Sequence, residues 1–134
     1  MSTARRNALQ LVHYLRFKVN FNDAASGVAV SKNWLPKGAV ILRATATVTS
    51  AFNAATTNTL SVGTAGDSTT NIVNAQTVGA VGQFAAAPTG AALGPLTADK
   101  QVQVTYTQAG AAATAGAAYV VIEYVPDNDL NIGQ

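Results

Sequence analysis

The sequence predicts an all-β fold, an antiparallel two-sheet sandwich of jelly-roll-like form with an extended N-terminal arm. Three observations carry this reading. Apolar and polar side chains alternate with a two-residue period in short segments, the signature of half-buried strands. Clusters of Gly, Pro, Asn, Asp and Ser separate those segments at short intervals. No segment keeps the 3.6-residue period of a long amphipathic helix. Counting gives about seven to nine strands, a spacing that suits a sandwich or a barrel.

Residues 1–12 read as an arm, residues 13–126 as the sandwich domain and residues 127–134 as a polar tail. In the arm, Leu9, Leu11 and Val12 are apolar and are expected to dock on a neighbouring subunit; a frayed end is the alternative. From His13 the alternation is strict: Leu15, Phe17, Val19 and Phe21 against Arg16, Lys18, Asn20 and Asn22. A turn cluster at 22–27 precedes a short strand at 28–30. Trp34, the single tryptophan, reads as a core or edge plug, with an interface anchor as the other reading. After Pro36 and Gly38, Val40, Leu42, Ala44, Ala46 and Val48 share a packed face; Ile41, Arg43, Thr45, Thr47 and Thr49 share a wet one. Leu60 and Val62 restart a strand beyond the polar break at 53–58, so this unit is expected to be a β-hairpin.

Residues 63–70 have loop composition. A brief strand or helical turn is expected at 71–74 and another strand within 78–84. The Ala-, Gly- and Pro-rich stretch at 85–95 is left without structure. Val102, Val104 and Tyr106 alternate with Gln101, Gln103, Thr105 and Thr107. In the last strand, 118–125, both alternating sets are mostly apolar, which predicts cover on both sides. These two strands are expected to form a second hairpin, ended by Pro126.

Apolar residues make up 49% of the chain, but many are alanine, so the core is expected to be thin. Charged residues are only 10%, against about 25% in an ordinary domain. That deficit points to a surface covered by other protein, or to a Thr/Asn/Gln-rich exterior. The net charge of +2 is not gathered into a patch with interleaved aromatics, so no nucleic-acid partner is expected. With no cysteine, disulfides and thiolate metal sites are excluded. The first residues lack a secretory apolar region and no run is long enough to span a bilayer, so a protein made in the cytoplasm, without a membrane partner, is expected.

Catalytic constellations are missing. His13 is the sole histidine, with no nucleophile elbow for it to serve. Asp23, Asp67, Asp99, Asp127 and Asp129 lie in or beside turns, where aspartate ordinarily holds local hydrogen bonds. Asp127, Asn128, Asp129 and Asn131 offer oxygen ligands but lack the glycine and bidentate glutamate of an EF-hand. Tyr106, Tyr119, Tyr124 and Trp34 suggest a sugar-stacking module, although the tyrosines sit in strands where core packing is simpler. Neither an enzyme nor a cofactor is expected, and no small-molecule ligand.

Four stretches carry a resemblance: residues 35–41, residues 49–63, residues 95–106 and residues 116–126. Together they resemble the jelly-roll decoration (cement) proteins on the outside of tailed-bacteriophage capsids. The likeness covers roughly residues 15–126 and is a pattern of strands and turns. It implies a non-enzymatic virion protein that binds the outer capsid surface, clamps neighbouring major capsid protein subunits and stabilises the head. It also implies a homo-oligomer, dimer or trimer. Leu9, Leu11, Val12 and Trp34 are the candidate interface residues. Another phage structural part, such as a head-fibre base or tail component, is the alternative, followed by a carbohydrate-binding β-sandwich module.

Overall fold

The computed structural model describes residues 12–126 of the 134-residue chain. Its strands are β1 (His13–Asn20), β2 (Ala29–Leu35), β3 (Val40–Ser50), β4 (Thr57–Thr64), β5 (Ser68–Thr77), β6 (Gly82–Ala86), β7 (Lys100–Ala109) and β8 (Ala117–Val125). A single turn of 3-10 helix, Gly90–Leu93, separates β6 from β7. They form two four-stranded sheets, ordered β1-β8-β3-β6 and β2-β7-β4-β5. All the pairings are antiparallel. β1 pairs with β8, β2 with β7, β3 with β6 and β4 with β5. The chain is therefore one antiparallel ribbon, folded back at residues 65–67 and rolled so that β3 meets β8 and β4 meets β7. That is a jelly-roll-like order.

This topology corrects both expected hairpins. β3 and β4 lie in different sheets, as do β7 and β8; only β4 and β5 are adjacent in both sequence and sheet. The polar break after β3 is not a solvent-facing turn. Phe52 just before it and Ala54 within it are buried, and the Phe52 ring lies 4.7 Å from that of Tyr106 at 48°. Asn58 Oδ1 accepts the Tyr106 hydroxyl at 2.6 Å and the Ala54 N–H at 3.0 Å. Burying Phe52 at the end of the sandwich draws the chain across to the other sheet.

Two bulges re-aim side chains that alternation alone misplaces. In β3 the register against β8 shifts between Ile41 and Arg43. Ile41 therefore turns inward and Leu42 outward, the reverse of the expected phase. In β2 the register shifts between Ser31 and Trp34. Leu35 is then fully buried and Trp34 is 58% exposed, so the core reading of Trp34 is wrong. β8 is covered less than expected: Ala118, Val120, Ile122 and Tyr124 are buried, while Tyr119, Val121 and Glu123 are half-buried on the outer face. The 85–95 stretch is ordered around buried Pro88 and Ala92. The Thr89 N–H donates to the Asn71 carbonyl at 2.8 Å.

The core runs between the inner faces, with Phe17, Val19, Ile41, Val48, Leu60, Val62, Val102, Val104 and Ile122 among its members. At the fold-back of the ribbon, buried Asn71 donates from Nδ2 to Thr64 Oγ1 at 2.8 Å and accepts the Thr64 N–H at 3.0 Å. The Thr64 hydroxyl donates to Asp67 Oδ2 at 3.0 Å, and Lys100 Nζ lies 3.2 Å from the same carboxylate. The Thr64 hydrogen bond, followed by Lys100, holds the Asp67 carboxyl below its ordinary 3.8.

Two predictions follow from this turn. A Cβ at Gly63 would run into the backbone of Ser68 and Thr69, whereas at Gly66 (φ +85°) it would meet nothing. In thermal melts Gly63→Ala is expected to cost at least about 2 kcal/mol through forced backbone movement. Gly66→Ala is expected to cost about 1 kcal/mol from left-handed strain alone. The lowered Asp67 pKa contributes stability that is present above the unfolded value near 3.8 and is lost as pH falls through the folded value. The melting temperature of Asp67→Asn should therefore lie below the parent's near neutral pH and converge on it in acid.

Candidate functional site

Period-two alternation sends Tyr14, Arg16 and Lys18 of β1 to the outer face of their sheet. The same face receives Tyr119, Val121 and Glu123 from β8, and Arg43, Thr45 and Thr47 from β3. Register sets them in rows: Tyr14, Glu123, Arg43; then Arg16, Val121, Thr45; then Lys18, Tyr119, Thr47. The Arg16 guanidinium carbon sits 4.3 Å from the Tyr119 ring centroid and Lys18 Nζ 6.0 Å from it. Both cations are within reach of the ring's negative π face. Arg43 Nε donates to Glu123 Oε2 at 3.0 Å. Tyr14 is 67% exposed and lines a shallow depression with Val12, His13, Val121 and Glu123.

The opposite outer face is different. Ser31, Gln103, Ser61, Thr105, Thr59 and Thr107 face one another across β2, β7 and β4. These hydroxyls and amides carry no charge; the aromatic area on this side is Trp34, exposed at the end of β2 opposite Gln101. The two sheets thus present unlike surfaces.

Of the four residues expected at an interface, Val12 and Trp34 are both exposed. They sit at the same end of the sandwich, where β1 begins and β2 ends, but on different sheets. Leu9 and Leu11 lie outside the described residues, as do Asp127, Asn128, Asp129 and Asn131. Sequence reasoning missed the face itself. Arg16 and Lys18 were visible as alternating cations, but Tyr119 joins them only through a register that no local pattern encodes.

Carboxylates in the described part are occupied structurally. Asp23 accepts the Asn20 N–H at 2.9 Å and pairs with Lys32 at 3.4 Å. Burial raises its pKa, but the Asn20 hydrogen bonds and Lys32 together outweigh that and leave it lowered. Asp99 accepts the Lys37 N–H at 2.7 Å, and Glu123 holds Arg43. His13 packs 5.8 Å from the Tyr124 ring. Among the described residues, no group of three or more His, Cys, Asp or Glu is placed to hold a metal ion. None of their helices is long and apolar enough to cross a membrane. Tyr106 and Tyr124 are buried, so they offer no ring to a sugar. A cavity of about 10 Å³ beside Asp23, Lys32 and Tyr106 is far below ligand size.

No protein-family model matches the chain, and no curated protein matches it. Solved structures do. A chain of the cyanophage Pam1 capsid asymmetric unit is 24% identical, with a TM-score of 0.71 over 94% of this chain and 92% of that one. A chain of the capsid of Ralstonia phage GP4 is 22% identical, with a TM-score of 0.63 over 96% and 92%. A chain of the acid-stable capsid of Helicobacter pylori bacteriophage KHP30 is 18% identical, with a TM-score of 0.67 over 88% and 90%. The fold is shared with chains of phage capsids. Coverage is nearly complete in both directions, so the matched chains are of similar length.

Trp34 provides a direct check on the surface. As the lone tryptophan it should emit at the wavelength of a water-exposed indole and be quenched readily by iodide. Trp34→Ala should shift stability by no more than about 0.5 kcal/mol, the range of an ordinary surface substitution.

Proposed function

We propose that the protein is a non-enzymatic virion structural protein that binds the outer capsid surface, clamps neighbouring major capsid subunits and stabilises the head. The observation that carries this is the near full-length likeness to similarly sized chains of three phage capsid structures. The physical character of the surface supports it. A clamp needs area and complementary shape: the exposed aromatics Tyr14 and Trp34 are of the kinds that anchor protein contacts, and exposed Val12 and Leu42 add apolar area. The described carboxylates are tied into turns and ion pairs, which suits a scaffold better than acid–base catalysis.

In this reading residues 1–12 are the arm that reaches a neighbouring subunit, with Leu9, Leu11 and Val12 as its apolar contacts and Trp34 as a second anchor. Residues 13–126 are the domain that sits on the shell, and the chain works as a dimer or trimer. Several weak contacts on linked copies add up through effective concentration.

Shells purified from the phage that encodes the chain, stripped of it, provide the test. The protein should co-sediment with them saturably, raise the temperature at which they release DNA, and shift Trp34 emission to shorter wavelength on docking. Deleting residues 1–12 should weaken binding at least ~10-fold, the loss expected when one of several linked contacts goes. Absence of co-sedimentation, or specific binding to an arrayed glycan instead, would overturn the reading.

A further inference from the structure

We propose that the outer face of the β1-β8-β3-β6 sheet is the side that docks, and that its occupant is a carboxylate-bearing surface of the shell subunit. This deepens the capsid-binding reading and rests on it. Charge complementarity carries the argument. Among the described residues, Lys32, Lys100 and Arg43 are each paired with a carboxylate. Arg16 and Lys18 are exposed and have no carboxylate partner there; Lys37, also exposed and unpaired among them, stands alone in the turn after β2, in no ion pair or cation–π contact. Arg16 and Lys18 are instead gathered on the Tyr119 ring, at 4.3 and 6.0 Å.

Stacking on an aromatic ring orients a guanidinium but leaves its N–H edge free. That edge takes a carboxylate through two parallel hydrogen bonds. Because the ring has already fixed the Arg16 side chain, less rotamer freedom is lost when the partner arrives. Around the pair lie Tyr14, Val121 and Thr45, an apolar and hydroxyl setting that excludes water as a contact closes. The other outer face carries a ladder of uncharged Ser, Thr and Gln side chains with Trp34 exposed at one end, opposite Gln101, and so offers a carboxylate no cation.

The same observations favour protein over nucleic acid. Two free cations on a face that also holds Glu123 are too few to follow a phosphate backbone. Apolar Val121, and Leu42 set outside by its bulge, match a folded surface better than a polyanion.

The test compares the full-length protein with two double variants of unchanged melting temperature. Arg16→Glu with Lys18→Glu reverses the charge of the proposed face. Gln103→Glu with Thr107→Glu adds the same charge to the opposite face. On stripped shells, the first should bind about 100-fold more weakly, the effect of losing charge-assisted contacts. The second should bind as the parent does. Parent binding should also weaken between about 50 and about 500 mM salt. Parent binding with equal retention by both variants, or loss confined to the second, overturns the face assignment and leaves capsid binding standing. No shell binding by the parent overturns both. Duplex DNA bound as tightly as the shells, and lost in the first variant, overturns the carboxylate partner.

Discussion

Backbone pairing between strands far apart in the chain is the constraint on which this structure depends. β8 lies between β1 and β3, and β7 between β2 and β4. The last two strands are thus central members of their sheets, and the first two are edges. A strand's N–H and C=O groups must find partners, so neither sheet is complete until the C-terminal third of the chain has been added. Pairings over such separations incur loop-closure entropy before contacts return it, so folding is expected to be slow and cooperative. The two edges β1 and β2 then face each other across one seam. Lys32 of β2 bridges it, with its Nζ on the Lys18 carbonyl at 2.9 Å. A charged side chain laid along an edge in this way also guards against pairing with a stray strand.

The alanine content that suggests a thin core has a packing role. Along β3 and β8, Ala44 faces Ile122, Ala46 faces Val120 and Val48 faces Ala118. All six are buried. Each cross-strand pair joins a small side chain to a branched one, so the inner surface stays level and the second sheet can approach it evenly. Bulk is concentrated at the end of the sandwich, where Phe52 stacks on Tyr106. A Cβ at Gly116 would come within 2.5 Å of the Phe52 ring, so the neighbouring backbone is fitted to that plug. Burial pushes the Tyr106 hydroxyl pKa up, and its hydrogen bond to Asn58 satisfies the polar tip.

Alternation reports which face of a strand is buried, and here it did so reliably where the ladder is regular. The inward set Phe17 and Val19 in β1, and Val102, Val104 and Tyr106 in β7, is buried as the pattern implies. Alternation carries nothing about which strand lies alongside, so neighbours in sequence were paired where the rolled ribbon pairs distant ones. It also assumes an unbroken period. One extra residue at Leu42 and another disturbance before Trp34 reversed the phase, and Ile41, Leu42 and Trp34 are misplaced at those two irregularities. A count of seven to nine strands and the absence of long helix among the described residues were legible because turn clusters and periods are local; β5 (Ser68–Thr77) was not, since its polar start reads as loop and its middle as a brief strand or helical turn. The cationic face was not, because it is assembled from Arg16 and Lys18 on one strand and Tyr119 on another, some hundred positions away, through β1–β8 register.

Low charge takes on a different meaning once its placement is known. Asp23, Asp67, Asp99 and Glu123 are each bound to a specific donor, and three of the described cations serve those same joints. Few charges are left over to act at a distance. Among the described residues Arg16 and Lys18 form the one pair of exposed, unpaired cations on a sheet face, which in the proposed docking biases the orientation of encounter toward that face. The Ser, Thr and Gln ladder on the reverse side is uncharged, so it does not compete for a carboxylate; Trp34 at its end is free for a separate contact. Under the proposed docking, such asymmetry sets orientation better than a larger total charge would, because evenly spread charge attracts every face alike.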